Sequence, residues 1–319
     1  LTRIMAQVFG FAILSIFITA VLLVPFIDFL YRLKLQRKKQ KTKDVFNQPT
    51  HFFNRVTAWK VGTPFGGGLL IILVVTLLTL WAYGLFSVKI KFWELFALLF
   101  TFIGFGALGF YDDFRKIFNK DTGFFGLKLF HKLAIQCLLA LIIGAVLYFQ
   151  LGYNFVYVHW FGQITLGIVY ILFAAFVIVA FTNAVNISDG LDGMAAGLLV
   201  ICLVAFLAIA GAILDPFLSL FIAILLGSTL AFLYFNIYKA RIWLGDVGAL
   251  SLGAVLAVIG LLTGKPLPVA LIGGVFVIEI GSSLLQILSR TFFGKRILPV
   301  APIHLYFLKR GWEEPKIVM

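Results

Sequence analysis

Charged residues are scarce in this chain. Only 12% of its 319 residues are Asp, Glu, Lys or Arg, where a soluble domain carries about a quarter. That scarcity, with 62% apolar residues and a mean hydropathy of +1.08, excludes a water-soluble globule. It also excludes intrinsic disorder, which needs low hydrophobicity and high charge. Cysteine is nearly absent. Cys137 and Cys202 both sit inside apolar runs, so they read as small buried hydrophobes and there is no disulfide framework. The first apolar run, Val8 to Phe29, lacks a small-residue cleavage site and is long enough to span a bilayer; no cleavable signal peptide is expected. The chain starts at Leu1 and stops at Met319 just after a polar stretch, so truncation at either end is open.

What remains is an all-α polytopic membrane protein, a single integral membrane domain over residues 1–319. Apolar runs at about 8–30, 66–86, 92–111, 127–149, 164–183, 194–213, 216–235, 247–263 and 267–289 give nine candidate transmembrane helices. Their lengths exclude the strands of a barrel. Every Lys and Arg except Arg3, Lys89, Lys91 and Lys265 falls in alternate connections or in the tail after 289, and nine fall between 31 and 65 alone. By the positive-inside rule the N-terminus is outside, the basic loops are cytoplasmic and, with nine spans, the C-terminus is inside. The net charge of +13 therefore reflects cytoplasmic loops that attract anionic membrane lipids and substrates, not nucleic acid.

The acids follow another logic. Asp112, Asp113, Asp189, Asp192 and Asp246 come from three distant connections, yet all lie at the cytoplasmic ends of spans. Taken singly, each fits ordinary solvation or pairing with a nearby Lys or Arg. Together they point to a shared polar cleft at the cytoplasmic face, because ionisable groups at membrane depth default to function.

Five segments carry the chemistry. In the first, Asn183, Asn186, Asp189 and Asp192 recur every three residues, and Gly190 and Gly193 interrupt the run. On a helix that spacing shares one face. Amides with carboxylates suit a nucleotide head group or a hydrated Mg²⁺. In the second, Asp112 and Asp113 precede Arg115 and Lys116, a pattern suited to a metal–phosphate complex and equally to a surface ion pair. Just upstream, Gly104, Gly106 and Gly109 match a dinucleotide fingerprint, but inside an apolar span they serve helix packing. In the third, Asp246 stands between Gly245 and Gly248, with Trp243 before it as a stacking plane or an interfacial aromatic. In the fourth, Lys60 precedes the glycine-rich entry Gly66–Gly68; it either reaches phosphates or sits in a loop before a helix start. The fifth holds a lone His304 among aromatics, followed by Gly311, Trp312, Glu313, Glu314, Pro315 and Lys316.

In this order the segments resemble the polyprenyl-phosphate N-acetylhexosamine-1-phosphate transferase superfamily, glycosyltransferase family 4. The match runs from Lys60 to Val318 and is closest to the branch that acts on UDP-MurNAc-pentapeptide. The resemblance implies Asp246 as the Mg²⁺ ligand and Asp112 with Asp113 as the acidic pair activating the lipid phosphate. It implies Asn186 and Asp189 as polar residues of the catalytic cleft, and Gly190, Leu191 and Asp192 as a uracil-reading turn; Asn183, at the start of the same signature stretch, is read as substrate-binding. It implies Trp243 (usually Phe) as a uracil-stacking ring, Asn236, Gln286 and Lys60 as nucleotide-pocket residues, and His304 as a catalytic histidine. The sequence departs from the family at Leu305 and Tyr306, where two further histidines are usual, and at Leu308, usually acidic. It departs again at Phe65 and Gly66 and at Lys239 and Arg241, and it lacks the family's usual tenth span.

The expected reaction is Mg²⁺-dependent transfer of phospho-MurNAc-pentapeptide to undecaprenyl phosphate, giving lipid I and UMP. The implied enzyme is a multi-pass protein of the bacterial inner (plasma) membrane, a homodimer with its active site cytoplasmic. A GlcNAc-1-phosphate transferase of the same superfamily is the alternative, opposed by the Gly311–Val318 tail. A transporter or flippase predicts ionisable groups at mid-membrane, where Glu279 is the only acid placed well inside a span.

Overall fold

The computed structural model of the chain describes residues 2–36, 46, 48–85, 92–118, 127–158, 161–264 and 266–319. Of the charges behind the topology argument, Arg37, Lys38, Lys39, Lys41, Lys43, Lys89, Lys91, Lys120 and Lys265 lie outside these residues. Among the described residues, nine helices are long and apolar enough to cross a membrane. They are α1 (Thr2–Arg32), α3 (Gly67–Leu85), α4 (Phe92–Phe118), α5 (Leu129–Phe149), α6 (Tyr170–Ser188), α7 (Met194–Ala212), α8 (Pro216–Asn236), α9 (Gly245–Leu262) and α11 (Gly274–Phe293). Short helices α2 (His51–Val56), α10 (Leu267–Ile272), α12 (Ile303–Lys309) and α13 (Glu314–Val318) join or follow them.

Three features differ from the apolar-run reading. A two-stranded antiparallel hairpin, β1 (Phe155–Val158) with β2 (Gly162–Thr165), precedes α6, which therefore starts later than the run and carries Asn183 and Asn186 as helix. The last apolar run is split at Gly273 into α10 and α11. Helix α4 has 27 residues, about 40 Å at 1.5 Å per residue, against a hydrocarbon core of roughly 30 Å. Its final turns, with Asp112, Asp113 and Lys116, thus stand at the end of the bundle instead of in a loop.

Helix α9 is the axis, buried along its whole length from Val247 to Leu262 and surrounded by α3, α4, α6 and α7. Lipid supplies no hydrophobic drive between apolar helices, so close backbone approach and interhelical hydrogen bonds decide the packing. A Cβ on Gly109 of α4 would come within 2.2 Å of the Asp246 carbonyl oxygen, and one on Gly68 within 2.1 Å of Gly248 Cα. Those glycines bring α3 and α4 onto the start of α9. On the other flank α1 packs on α8, where Ser15 donates to the Ile224 carbonyl (2.7 Å) and Thr19 meets Ser228 (2.9 Å).

Candidate active site

The glycine-rich entry to α3 is explained by backbone pairing. Trp243 N–H donates to the Pro64 carbonyl (2.9 Å), Gly67 N–H returns to the Trp243 carbonyl (2.9 Å), and Gly68 N–H reaches that of Leu244 (3.0 Å). This seam sets the indole of Trp243 and the start of α9 beside the segment carrying Lys60. Gly245, at φ +75°, turns the chain into α9, and a Cβ there would meet Asp113 Oδ2 at 2.8 Å.

Asp246 follows on the first turn of α9. Its Oδ1 accepts from Asn186 of α6 (3.1 Å), and its Oδ2 is paired with Lys132 of α5 (2.5 Å) and Lys116 of α4 (2.7 Å). Asp113 Oδ2 accepts from Val247 N–H (3.2 Å), and its Oδ1 is 3.4 Å from Lys116. Asp112 lies behind them. Its Oδ1 accepts from Leu127 N–H (2.5 Å), and its Oδ2 stands 3.1 Å from both Lys116 and Lys132. Three carboxyl groups thus share two ammonium groups. Asp189, the C-cap of α6, is half-buried and takes no hydrogen bond from the described residues. Desolvation, and then the Asp246 charge, push its carboxyl well above the usual carboxylate range, against the pull of Lys60.

The turn between α6 and α7 is locked from two sides. Lys60 is buried with its ammonium 2.7 Å from Asp192 Oδ1, paired also with Glu314 of α13, and over the rings of Trp59 (5.4 Å) and Trp243 (5.8 Å). Asp192 N–H donates to Glu314 Oε1 (2.6 Å), and Asp192 Oδ2 accepts from Ala240 N–H (2.9 Å). Asn236 at the end of α8 accepts from Gly193 N–H (3.1 Å) and donates to the Ile242 carbonyl (2.9 Å).

Most of these residues line a cleft of about 590 Å³ at one end of the bundle. Its wall includes Lys60, Asp113, Lys116, Asn186, Asp189, Gly190, Leu191, Asp192, Asn236, Trp243, Asp246, Gln286, Arg290 and His304. Two residues of the sequence reading are not brought to it. Asn183 faces α5, donating to Gln136 Oε1 (2.7 Å) and to the Val179 carbonyl (2.8 Å). Asp112 does not line the cleft and lies behind Lys116, Lys132 and Asp246.

Residues 95–264 match the family model for glycosyl transferase family 4. The phospho-N-acetylmuramoyl-pentapeptide-transferase of Bacillus pumilus is 35% identical over 315 residues, covering 98% of this chain and 93% of its own. Those of a Geobacillus species (36%, 98% and 93%) and of Caldanaerobacter subterraneus subsp. tengcongensis (38%, 81% and 79%) are similar. This chain belongs to the phospho-N-acetylmuramoyl-pentapeptide-transferase family. It is an enzyme, a multi-pass membrane transferase of peptidoglycan synthesis.

Four side chains that hold the site together, of which Lys116 lines the cleft, were given no role at the site by the sequence reading. Lys116 follows Asp112 and Asp113 by four and three residues, which places it on their helix face; that signal was in the sequence. Glu279 was visible as an isolated acid within a span and Glu314 as part of the tail motif, but neither partner was. Lys132 carries no local signal at all. It reaches Asp246 only because α5 packs beside α4.

Proposed function

We propose that the cleft transfers phospho-MurNAc-pentapeptide from UDP-MurNAc-pentapeptide to undecaprenyl phosphate, releasing UMP. A lipid phosphate oxygen attacks the β-phosphorus, the bond from that phosphorus to the bridging oxygen breaks, and the pair leaves with UMP. Both reactants are anions, so catalysis must supply charge neutralisation and alignment. The observation that carries this reading is Asp246. It sits at the cleft on a glycine turn with Lys116 and Lys132 on one oxygen, which marks a strongly anionic point that recruits cations.

The donor set fits Mg²⁺ held with substrate phosphates. Among the described residues, no three His, Cys, Asp or Glu side chains form a closed cage. One or two carboxylates plus phosphate oxygens is the usual Mg²⁺ shell, and here Asp246, with Asp113 beside it, supplies them. Bound there, the ion would neutralise charge on the pyrophosphate. Lys116 and Lys132 hold the carboxylates in place and add positive charge facing the incoming phosphates. Asp189, whose affinity for a proton is raised by its surroundings, is suited in its ionised form to take a proton from the lipid phosphate. At the opposite wall the Gly190–Asp192 turn, Asn236 and the Trp243 ring form the nucleoside end. Lys60 and Glu314 hold that turn from behind.

The excess of Lys and Arg in connections at this end of the bundle supports a cytoplasmic cleft, reached by the soluble nucleotide from the cytoplasm and by the lipid sideways. A homodimer, implied by the resemblance, belongs to the same reading; native mass spectrometry from detergent tests it. The deciding assay is release of UMP by the purified protein with Mg²⁺. UMP from UDP-MurNAc-pentapeptide in the presence of undecaprenyl phosphate, and none from UDP-GlcNAc, is expected. The reverse preference would move the chain to the GlcNAc-1-phosphate transferases.

A further inference from the structure

Helix α11 carries polar side chains at Glu279, Ser282, Gln286 and Ser289, spaced three and four apart and hence on one face. All four bind the segment that leads to His304. Ser289 donates to the Lys295 carbonyl (2.8 Å). Gln286 accepts from Ile297 and Leu298 N–H (3.1 and 3.0 Å) and donates back to the Leu298 carbonyl (2.9 Å). Ser282 accepts from Ile303 N–H (3.1 Å). At the top of the row, Glu279 Oε2 lies 2.9 Å from His304 Nδ1, with both side chains 2% exposed. A buried carboxylate within a span is costly unless paired, and this one faces the imidazole.

The other ring nitrogen lies against Gly190, which with His304 lines the cleft. A Cβ at Gly190 would stand 2.7 Å from His304 Nε2, so the absence of a side chain at Gly190 makes room for the ring. We infer that Glu279 is the positioning residue of His304. It keeps the proton on Nδ1 and thereby leaves Nε2 to face the bound nucleotide beside Gly190, while Ser282, Gln286 and Ser289 fix the depth of the loop. This rests on the proposed transferase reading for its kinetic arm only.

Three variants test it: Glu279→Gln, His304→Ala and the double variant, compared by steady-state kinetics in one detergent. A hydrogen bond to a charged group is worth ~1.5–3 kcal/mol, roughly ten- to hundredfold in rate. Each single variant is expected to lose about that much in kcat with the KM for the nucleotide sugar little changed. The double variant should be no worse than His304→Ala. Multiplying losses, or a KM effect with kcat intact, would overturn the assignment by making Glu279 merely structural or a binding element. Should the variants fail to fold, ¹⁵N NMR of histidine-labelled wild-type protein decides. Its four histidines are resolved with Ala substitutions at His51, His131 and His159. A proton on Nδ1 of His304 is expected, and an unprotonated Nδ1 overturns the inference. That readout stands whatever substrate the cleft turns over.

Discussion

Lys60 Nζ stands 2.7 Å from Asp192 Oδ1 although 132 residues separate them, and each side chain is at most 3% exposed. With Glu314 on the same ammonium, one cation compensates two buried carboxylates. Removing one partner of a buried pair costs about 3–5 kcal/mol, because the other charge is left uncompensated. Lys60→Met should therefore lower the thermal stability of the detergent-solubilised protein by several degrees. Glu314→Gln, which leaves the Lys60–Asp192 pair, should do less. A Lys60→Met protein of unchanged stability that only loses nucleotide affinity would return Lys60 to direct substrate contact.

Much of this site was legible because it is built from local patterns. Lys116 follows Asp112 by four positions and Asp113 by three on one helix, within reach of both, and the glycines around Asp246 mark a backbone approach. Spans were legible from length and hydropathy alone. What was hidden depends on which helix packs beside which. Nothing near Lys132 says that it will meet Asp246, and the spacing that aligned Asn183 with Asn186 fails at the cleft. Those two residues stand about 60° apart around α6, three steps of 100°, enough for Asn183 to turn to Gln136 while Asn186 turns to Asp246. Only Ile164 and Thr165 of the β1–β2 hairpin fell in the run read as the next span; the rest lay in the connection before it, which was not read as strand.

Asp246→Asn keeps the shape of the side chain and removes its charge. Lys116 and Lys132 retain Asp112 and, for Lys116, Asp113, so the fold should survive. Turnover should vanish at any practical Mg²⁺ concentration. In the wild type, chelation by EDTA should abolish activity and added Mg²⁺ should restore it. Activity of Asp246→Asn within a few-fold of wild type would remove Asp246 as the cation ligand.

The acidic pair should split. Asp113 lines the cleft, whereas Asp112 is sequestered behind two lysines and the Leu127 N–H. Asp113→Asn should lower kcat by orders of magnitude in a protein of near-normal stability. Asp112→Asn should lose more in thermal stability and less in kcat. Equal kcat losses in two equally stable variants would contradict this division.

Tyr306 occupies a position where the family pattern has histidine. Its hydroxyl instead accepts from Arg310 Nε (2.9 Å) and Nη2 (2.5 Å) on the exposed side of α12, away from the cleft. Tyr306→Phe should leave kcat and KM within about twofold of wild type, since exposed hydrogen bonds contribute little. A tenfold loss would mean that α12 rotates when substrate binds.

Asp189 gives a pH dependence whose sign can be worked out. Its carboxyl is held well above the ordinary carboxylate range by desolvation and by Asp246. The unfolded chain ionises at its ordinary value, so between the two values the unfolded state releases a proton that the folded state keeps. The stability that the protonated group provides is fully present below the unfolded value and is lost as pH rises through the folded one. Asp189→Asn should thus match wild type in acid and be the more stable protein above that window, with the gap in melting temperature opening as pH rises. Catalysis should run the other way. If ionised Asp189 accepts the lipid proton, wild-type kcat should fall on acidification at a pH above the usual carboxylate range, and Asp189→Asn should be slow throughout with that limb gone. Paired melting curves and pH–rate profiles on the two proteins check both halves. A variant that is less stable at alkaline pH, or that keeps the acid limb, would assign the proton to another group.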